Sequence, residues 1–280
     1  MSENKVRIRP SLTLQEEKMN YLIDYYNTHD EDGRLLSQHG QVEYITTQKY
    51  IHECIEGCHG RRILEVGAGT GRYSVALAKE GYDVTAVELV EHNIDVLRGK
   101  LDGTEAITVL QGNALDLSAF GASSFDMTLL LGPLYHLYTF EDRQKALSEA
   151  VRVTKPGGFV LAAYCMNEPT VIGYVFRKGM LKEVIENDLL TADWHCKSEP
   201  KELFELSRVE DIEALNRTVP VRRHKFVATD GATNYLREMI DVMDEATFGK
   251  WVEYHLAICE RQELVGASHH TLDILEKLPE

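Results

Sequence analysis

The sequence predicts an α/β protein built on a doubly wound parallel sheet. Three observations lead there. Short β-rich runs alternate with amphipathic helical stretches between Arg61 and Cys165, those runs are apolar throughout, and a glycine-rich turn, "VGAGTG", joins the first run to a helix. Alternation of strand and helix implies parallel strands with helices crossing both faces. Strands covered on both faces have no wet side, so they read as continuous apolar stretches.

In chain order, residues ~12–58 read as two helices separated by "NTHDEDGRLLSQHG", a helical N-terminal extension over 1–59. "RRILEV" is the first strand, followed by the glycine turn and the helix "GRYSVALAKEG". "YDVTAVEL" is the second strand and "VEHNIDVLRGKL" the next helix; "AITVLQ" is the third strand and "FDMTLLLG" a very apolar fourth. "EDRQKALSEAVRV" is helical and is closed by the turn "KPGG", after which "GFVLAAYC" is the fifth strand. Residues ~167–218 form a charged helical insertion, followed by the β-like "VRRHKFVA". The stretch "TNYLREMIDVMDEATFGKWVEYHLAICERQ" is helical, with Asp244 placed to cap a second helix inside it, and "LVGASHHTLDILEK" ends the chain. The main domain therefore spans 60–280, with a helical lid insertion at about 167–218.

Composition narrows the function. The chain of 280 residues is 44% hydrophobic, enough to fill a real core. It has no apolar run of the ~20 residues a membrane span needs. The opening "MSENKVRIRPSLTLQEEK" lacks the apolar segment of a secretory signal, which points to the cytoplasm. Five scattered cysteines suit a reducing compartment. Cys54 and Cys58, near His52 and His59, raise a metal site, but no second ligand pair at zinc spacing follows, so free thiols are expected. Forty-five acidic against 30 basic side chains give a net charge of −15. Such a chain is repelled by phosphate backbones unless it concentrates positive charge. The run Arg222, Arg223, His224, Lys225 would alternate between the faces of a strand, which disfavours nucleic acid as partner.

The glycine turn is read from its spacing. A dinucleotide fingerprint is G-x-G-x-x-G, whereas Gly67, Gly69 and Gly71 give G-x-G-x-G. A phosphate-binding P-loop needs a Lys-Ser/Thr pair, and Arg72-Tyr73 does not supply it. Glu65 and Glu88 end the first two strands. A carboxylate ~20 residues past such a turn is suited to ribose hydroxyls. Glu65 puts negative charge at the mouth of the turn and favours a cation over a phosphate. The ligand suggested is a positively charged nucleoside without pyrophosphate. Gly71 serves either ligand contact or close helix–strand packing, and Asn113 either ligand contact or a turn.

"ILEVGAGTG", "VTAVEL", "GNALDL", "FDMTLLLGPLYHL" and "KPGGFVLAAY" resemble, in order and spacing, the class I S-adenosylmethionine-dependent methyltransferases. The resemblance implies a seven-stranded, mostly parallel sheet whose last strand, near "GASHHTLDIL", is antiparallel. It implies S-adenosylmethionine as cofactor and S-adenosylhomocysteine as product. By it, Gly67, Ala68 and Gly69 lie against the methionine part, which Glu65 orders. Glu88 takes the ribose hydroxyls, Leu89 lies beside the adenine, Asn113 and Ala114 hold its edge, and Leu131 faces the sulfonium. The N-terminal "YLIDYYNTHDEDGRLLSQHGQVEY" is similar to a bacterial subset of the family, which implies that Tyr26, Arg34 and Glu43 close the cofactor site.

In this family the acceptor lies past strand four. Enzymes acting on exocyclic amino groups of bases or on glutamine amides usually carry Asn/Asp-Pro-Pro-Tyr there; this chain has Gly132-Pro133-Leu134-Tyr135, which lacks the side-chain acceptor. No carboxylate cluster follows strand four, so no metal is expected. Tyr135 and His136 remain as catalytic candidates, His136 being either a general base or a structural group hydrogen-bonded at the strand end. His269 and His270 on the last strand should point to opposite faces, one of them toward the pocket. Phe176, Met180, Trp194 and Phe204 line an apolar acceptor pocket or form the lid's own core. The reading is methyl transfer to a nucleophilic O, N or S of a small-molecule acceptor by in-line displacement. Protein or RNA methylation, a dehydrogenase and a non-catalytic cofactor-binding regulator stand as alternatives.

Overall fold

A computed structural model of the chain describes residues 14–28, 33, 35–58, 60–199 and 203–279. Two helices, α1 (Leu14–Thr28) and α2 (Gln38–Glu56), precede β1 (Arg62–Val66). Then come α3 (Arg72–Lys79), β2 (Asp83–Glu88), α4 (Glu91–Gly99), β3 (Ile107–Gln111) and β4 (Phe125–Leu130). A 3₁₀ turn (Pro133–His136) leads to α5 (Phe140–Val153) and β5 (Thr154–Met166). The insertion expected as a lid comprises α6 (Asn167–Thr170), continued by a π-helical stretch (Val171–Arg177), and α7 (Leu181–Glu186). It ends with β6 (Leu206–Ser207) and α8 (Val209–Asn216). The chain finishes with β7 (Val221–Ala228), α9 (Arg237–Ile240), α10 (Glu245–Ile258), α11 (Gln262–Val265) and β8 (His270–Lys277).

Among the described residues the strands form one sheet in the order β3-β2-β1-β4-β5-β8-β7, with β6 beside β5. β1 to β5 pair in parallel, and β8 runs antiparallel to both β5 and β7. Seven strands on this path match the expected sheet. The eighth, the two-residue β6, pairs with the end of β5 at Cys165 and Met166. β5 starts earlier than expected. The "KPGG" segment is a bulge inside the strand, where Gly157 takes φ +74° and the register against β4 shifts, so Thr154 still pairs with Phe125.

Period-two alternation sorts the core into two layers. Leu64, Val66, Leu130 and Val160 face α5 and α8 on one side. Ile63, Met127, Leu129 and Leu161 face the other, where Tyr50 and Ile51 of α2 and Leu77 of α3 complete the packing. α2 therefore covers the sheet itself. Every residue of β4 is buried, as expected of a strand with neighbours on both edges and both faces. Helix ends follow their capping chemistry. Ser37 accepts from Gly40 N at α2, Thr139 from Asp142 N at α5, and Asp244 from Thr247 N at α10 (2.9 Å).

The basic run on β7 is consumed internally. Arg222 pairs with Glu276, Arg223 with the buried Asp273, and Lys225 with Glu53 and Glu260. Cys54 is buried and its thiol is pushed up to about 12 by desolvation; Cys58 is pushed up to about 11 for the same reason. Both are neutral thiols, and His52 is engaged with Glu80; His59 lies outside the described residues.

Gly71 at the N-terminus of α3 has φ +80°, and a Cβ there would come 2.4 Å from Leu97 of α4. It serves close packing, against a helix instead of a strand. Gly71→Ala is expected to cost about 2–4 kcal/mol, from left-handed strain plus overpacking. Urea unfolding measures this; an unchanged midpoint would contradict the packing role.

Candidate active site

The turn after β1 is latched to the end of β2. Gly67 N (2.8 Å) and Ala68 N (3.1 Å) both donate to the Val87 carbonyl, and Gly69 N donates to Glu88 Oε2 (2.8 Å). Gly67 takes φ +73°, and a Cβ there would strike the Pro133 ring at 2.7 Å. Gly69 takes φ +53° with nothing within 4 Å of a built Cβ, because it borders open space. That space is a cavity at the carboxyl edge of the sheet, where open α/β folds bind ligands. Glu65, Gly67, Ala68, Gly69, Glu88 and Leu89 line it, as do Asn113, Ala114 and Leu131.

Glu88 is buried and also accepts from Val90 N (2.9 Å) and Asn93 Nδ2 (3.4 Å). Burial raises its carboxyl, and these N–H donors counter the rise. Glu65 differs from expectation. It is wholly buried, with Ser74 Oγ donating to it, and desolvation pushes its carboxyl up to about 8. It is therefore mostly neutral at pH 7, because no cation among the described residues offsets the desolvation. Asn113 makes a local turn, its Oδ1 accepting from Leu115 N (2.9 Å).

α1 lies over α4 and carries Leu22 and Tyr26 to the same cavity. The Tyr26 hydroxyl meets His136 Nε2 at 2.8 Å, and His136 Nδ1 meets the Leu203 carbonyl at 2.8 Å. Since a carbonyl only accepts, Nδ1 carries the proton and Nε2 accepts from Tyr26. Burial pushes His136 down to about 4, so the ring is neutral at pH 7 with both nitrogens engaged. Tyr135 donates to the Leu131 carbonyl (3.0 Å).

A second cavity of about 570 Å³ lies under the lid, and Tyr26 and Tyr135 line both cavities. Phe204 lines it and packs against Tyr135 and His136 at 5.9 and 5.3 Å between ring centres. Tyr174 lines it too, whereas Phe176, Trp194 and Met180 do not: Phe176 and Trp194 stack on the exposed side, and Met180 packs in the lid's small core.

His269 and His270 both reach this second cavity, contrary to the alternation expected. β8 begins only at His270, so His269 still belongs to the preceding bend and its ring lies 4.6 Å from its neighbour's. Asp230 binds Ser268 Oγ (2.7 Å), His270 N (3.0 Å) and His270 Nδ1 (2.9 Å). Burial alone would lower His270, but Glu43, Cys165 and Asp230 hold it well above its ordinary value. Glu43, expected at the cofactor, instead lies 3.4 Å from His270. Arg34 lies outside the described residues. Sequence reasoning missed Asn93, which reaches Glu88 from the first turn of α4, and Asp230, 40 positions from His270 and without any motif to link them. Asp230, His269 and His270 have donor atoms within 4.8 Å of one another, the one metal-capable grouping among the described residues.

These shifts fix opposite pH responses. Folded Glu65 keeps a proton that the unfolded chain has released above about 4.5, so stability falls as pH climbs toward about 8. His136 does the reverse: the unfolded chain takes up a proton near 6.5, so stability falls as pH drops from there toward about 4. Ligand-free Glu65→Gln is expected to melt above the parent chain at about pH 8, with the gap closing near pH 5. Calorimetry across this range tests it, and a constant gap would contradict the assignment.

The methyltransferase domain family matches residues 64–162. Over 194 residues the chain is 26% identical to a ubiquinone biosynthesis O-methyltransferase of Alkalilimnicola ehrlichii, covering 67% of this chain and 76% of the relative. Over 103 residues it is 38% identical to a demethylmenaquinone methyltransferase of Clavibacter sepedonicus, covering 36% of this chain and only 40% of the relative. A solved SAM-dependent methyltransferase from Methanosarcina mazei shares the fold with a TM-score of 0.55 at 19% identity, over 82% of this chain and 98% of that one. Sheet order, glycine turn and family match agree: residues 64–162 carry a methyltransferase domain of the class I S-adenosylmethionine-dependent type.

Proposed function

We propose that the chain transfers a methyl group from S-adenosylmethionine to a nucleophilic O, N or S of a small-molecule acceptor, by in-line displacement at sulfur. The observation that carries this reading is the pair of adjoining cavities sharing Tyr26 and Tyr135. One borders the glycine turn and Glu88; the other is a cavity of small-molecule size. The cofactor supplies an electron-poor methyl on sulfur. The chain must align the acceptor behind it and exclude water.

In this reading Gly67, Ala68 and Gly69 back the methionine part, and Glu88 takes the ribose hydroxyls. Glu65, beside the turn, would supply the carboxylate that favours a cationic cofactor there. Leu89, Asn113 and Ala114 bound the adenine, and Leu131 lies beside the sulfur. Tyr135 and His136 stand at the junction of the cavities. With Nε2 occupied by Tyr26, His136 positions the α1 wall; it accepts a proton only after Tyr26 gives way. The quinone-pathway methyltransferases among the relatives support a small acceptor. The cytoplasm, where such acceptors and the cofactor are at hand, is the compartment this reading requires.

Two variants test it. Gly69→Ala is expected to leave the fold within ~1–2 kcal/mol of the parent, since its Cβ meets no protein atom, while abolishing cofactor binding by calorimetry. Tyr26→Ala is expected to slow methyl transfer roughly 10–100-fold while changing cofactor affinity much less, because it opens the junction to water. S-adenosylhomocysteine formation across panels of small molecules, RNA and proteins selects the acceptor class. Turnover confined to RNA or protein, or cofactor binding without any turnover, would overturn the small-molecule reading.

A further inference from the structure

The second cavity has a charge that the whole chain does not. Acidic side chains outnumber basic ones 45 to 30 overall, yet among the described residues the cavity wall carries Arg177, Lys178, Lys197 and Arg237 and no carboxylate. Three of the four are occupied within the protein. Lys197 pairs with Asp188, Arg177 donates to the Tyr235 carbonyl (2.7 Å), and Lys178 lies 5.5 Å over the Tyr174 ring. The Arg237 guanidinium makes no hydrogen bond or ion pair among the described residues, although the side chain is half-buried.

Asp230 and Glu43 act on His270 from behind the wall, and neither lines the cavity. Neutral His269 shares the wall with Arg237. Burial pushes it down to about 4; His270 and, least, Arg237 add to that, while Asp230 and Glu43 oppose it. Arg237 opens α9, which is anchored by fully buried Ile240 and packs on α2, so its backbone is fixed.

A half-buried guanidinium that no described side chain engages keeps its donors available to an anionic ligand in the cavity. Its planar fork matches two oxygens of one anionic group. On the proposed small-molecule methyltransferase reading, we infer that the acceptor bears a carboxylate or phosphate and that Arg237 binds that group in the second cavity. The anion fixes the acceptor at one point of the lid cavity, and the nucleophilic atom is presented at the junction walled by Tyr26 and Tyr135.

Isothermal titration of the full chain saturated with S-adenosylhomocysteine tests this, using benzoate, inorganic phosphate and neutral benzamide as probes. At least one anion is expected to bind, with benzamide much weaker than benzoate. Arg237→Gln should weaken anion binding roughly tenfold or more, with Arg237→Lys in between and S-adenosylhomocysteine affinity unchanged in both. Saturated chain that binds neither anion, binds benzamide as well as benzoate, or keeps its anion affinity in Arg237→Gln would overturn the inference alone. Methylation confined to RNA or protein would instead remove the reading on which it rests.

Discussion

The site depends on one contact, the latch between the glycine turn and the end of β2. Three glycines with positive φ bring successive backbone N–H groups against Val87 O and Glu88 Oε2. Side chains at these positions would collide with Pro133 and Leu97 or enter the cavity. The latch in turn depends on the parallel pairing of β1 with β2, which sets Glu65 and Glu88 at the same edge of the sheet. Loosening it moves both carboxylates and the start of α3 together.

Much of the fold was legible because its strands have unambiguous chemistry. "FDMTLLLG" reads as a doubly covered strand, and each of β4's residues is buried. Asp244 announced its helix by capping chemistry local to the sequence. The misread stretches are those where tertiary contact overrides a local signal. "KPGG" reads as a turn, yet pairing of Thr154 with Phe125 draws it into β5 as a bulge. His269 reads as a strand residue, yet it precedes the strand and turns beside His270.

Legibility of the site follows the same division. The cofactor side comes from contiguous motifs, so its residues can be picked out one after another. On the proposed reading the acceptor side is assembled from α1, the 3₁₀ turn, the lid, the segment after β7 and the start of β8, and no spacing rule connects Tyr26 to His136 or Asp230 to His270. Charge states were also beyond reach. Glu65 looks ionised in sequence and is held mostly neutral by burial, while His136, legible only as either a base or a structural group, is neutral with both nitrogens in use. Both are effects of desolvation, which depends on what the rest of the chain brings over the residue.

The central claim is that cofactor and acceptor occupy two cavities meeting at Tyr26 and Tyr135. A crystal structure with S-adenosylhomocysteine tests it most directly. The account predicts ribose hydroxyls on Glu88 and the sulfur facing the wall formed by Leu131, Tyr26 and Tyr135, with the lid cavity open beyond it. A cofactor whose sulfur faces away from that junction, or whose ribose lies apart from Glu88, would contradict it.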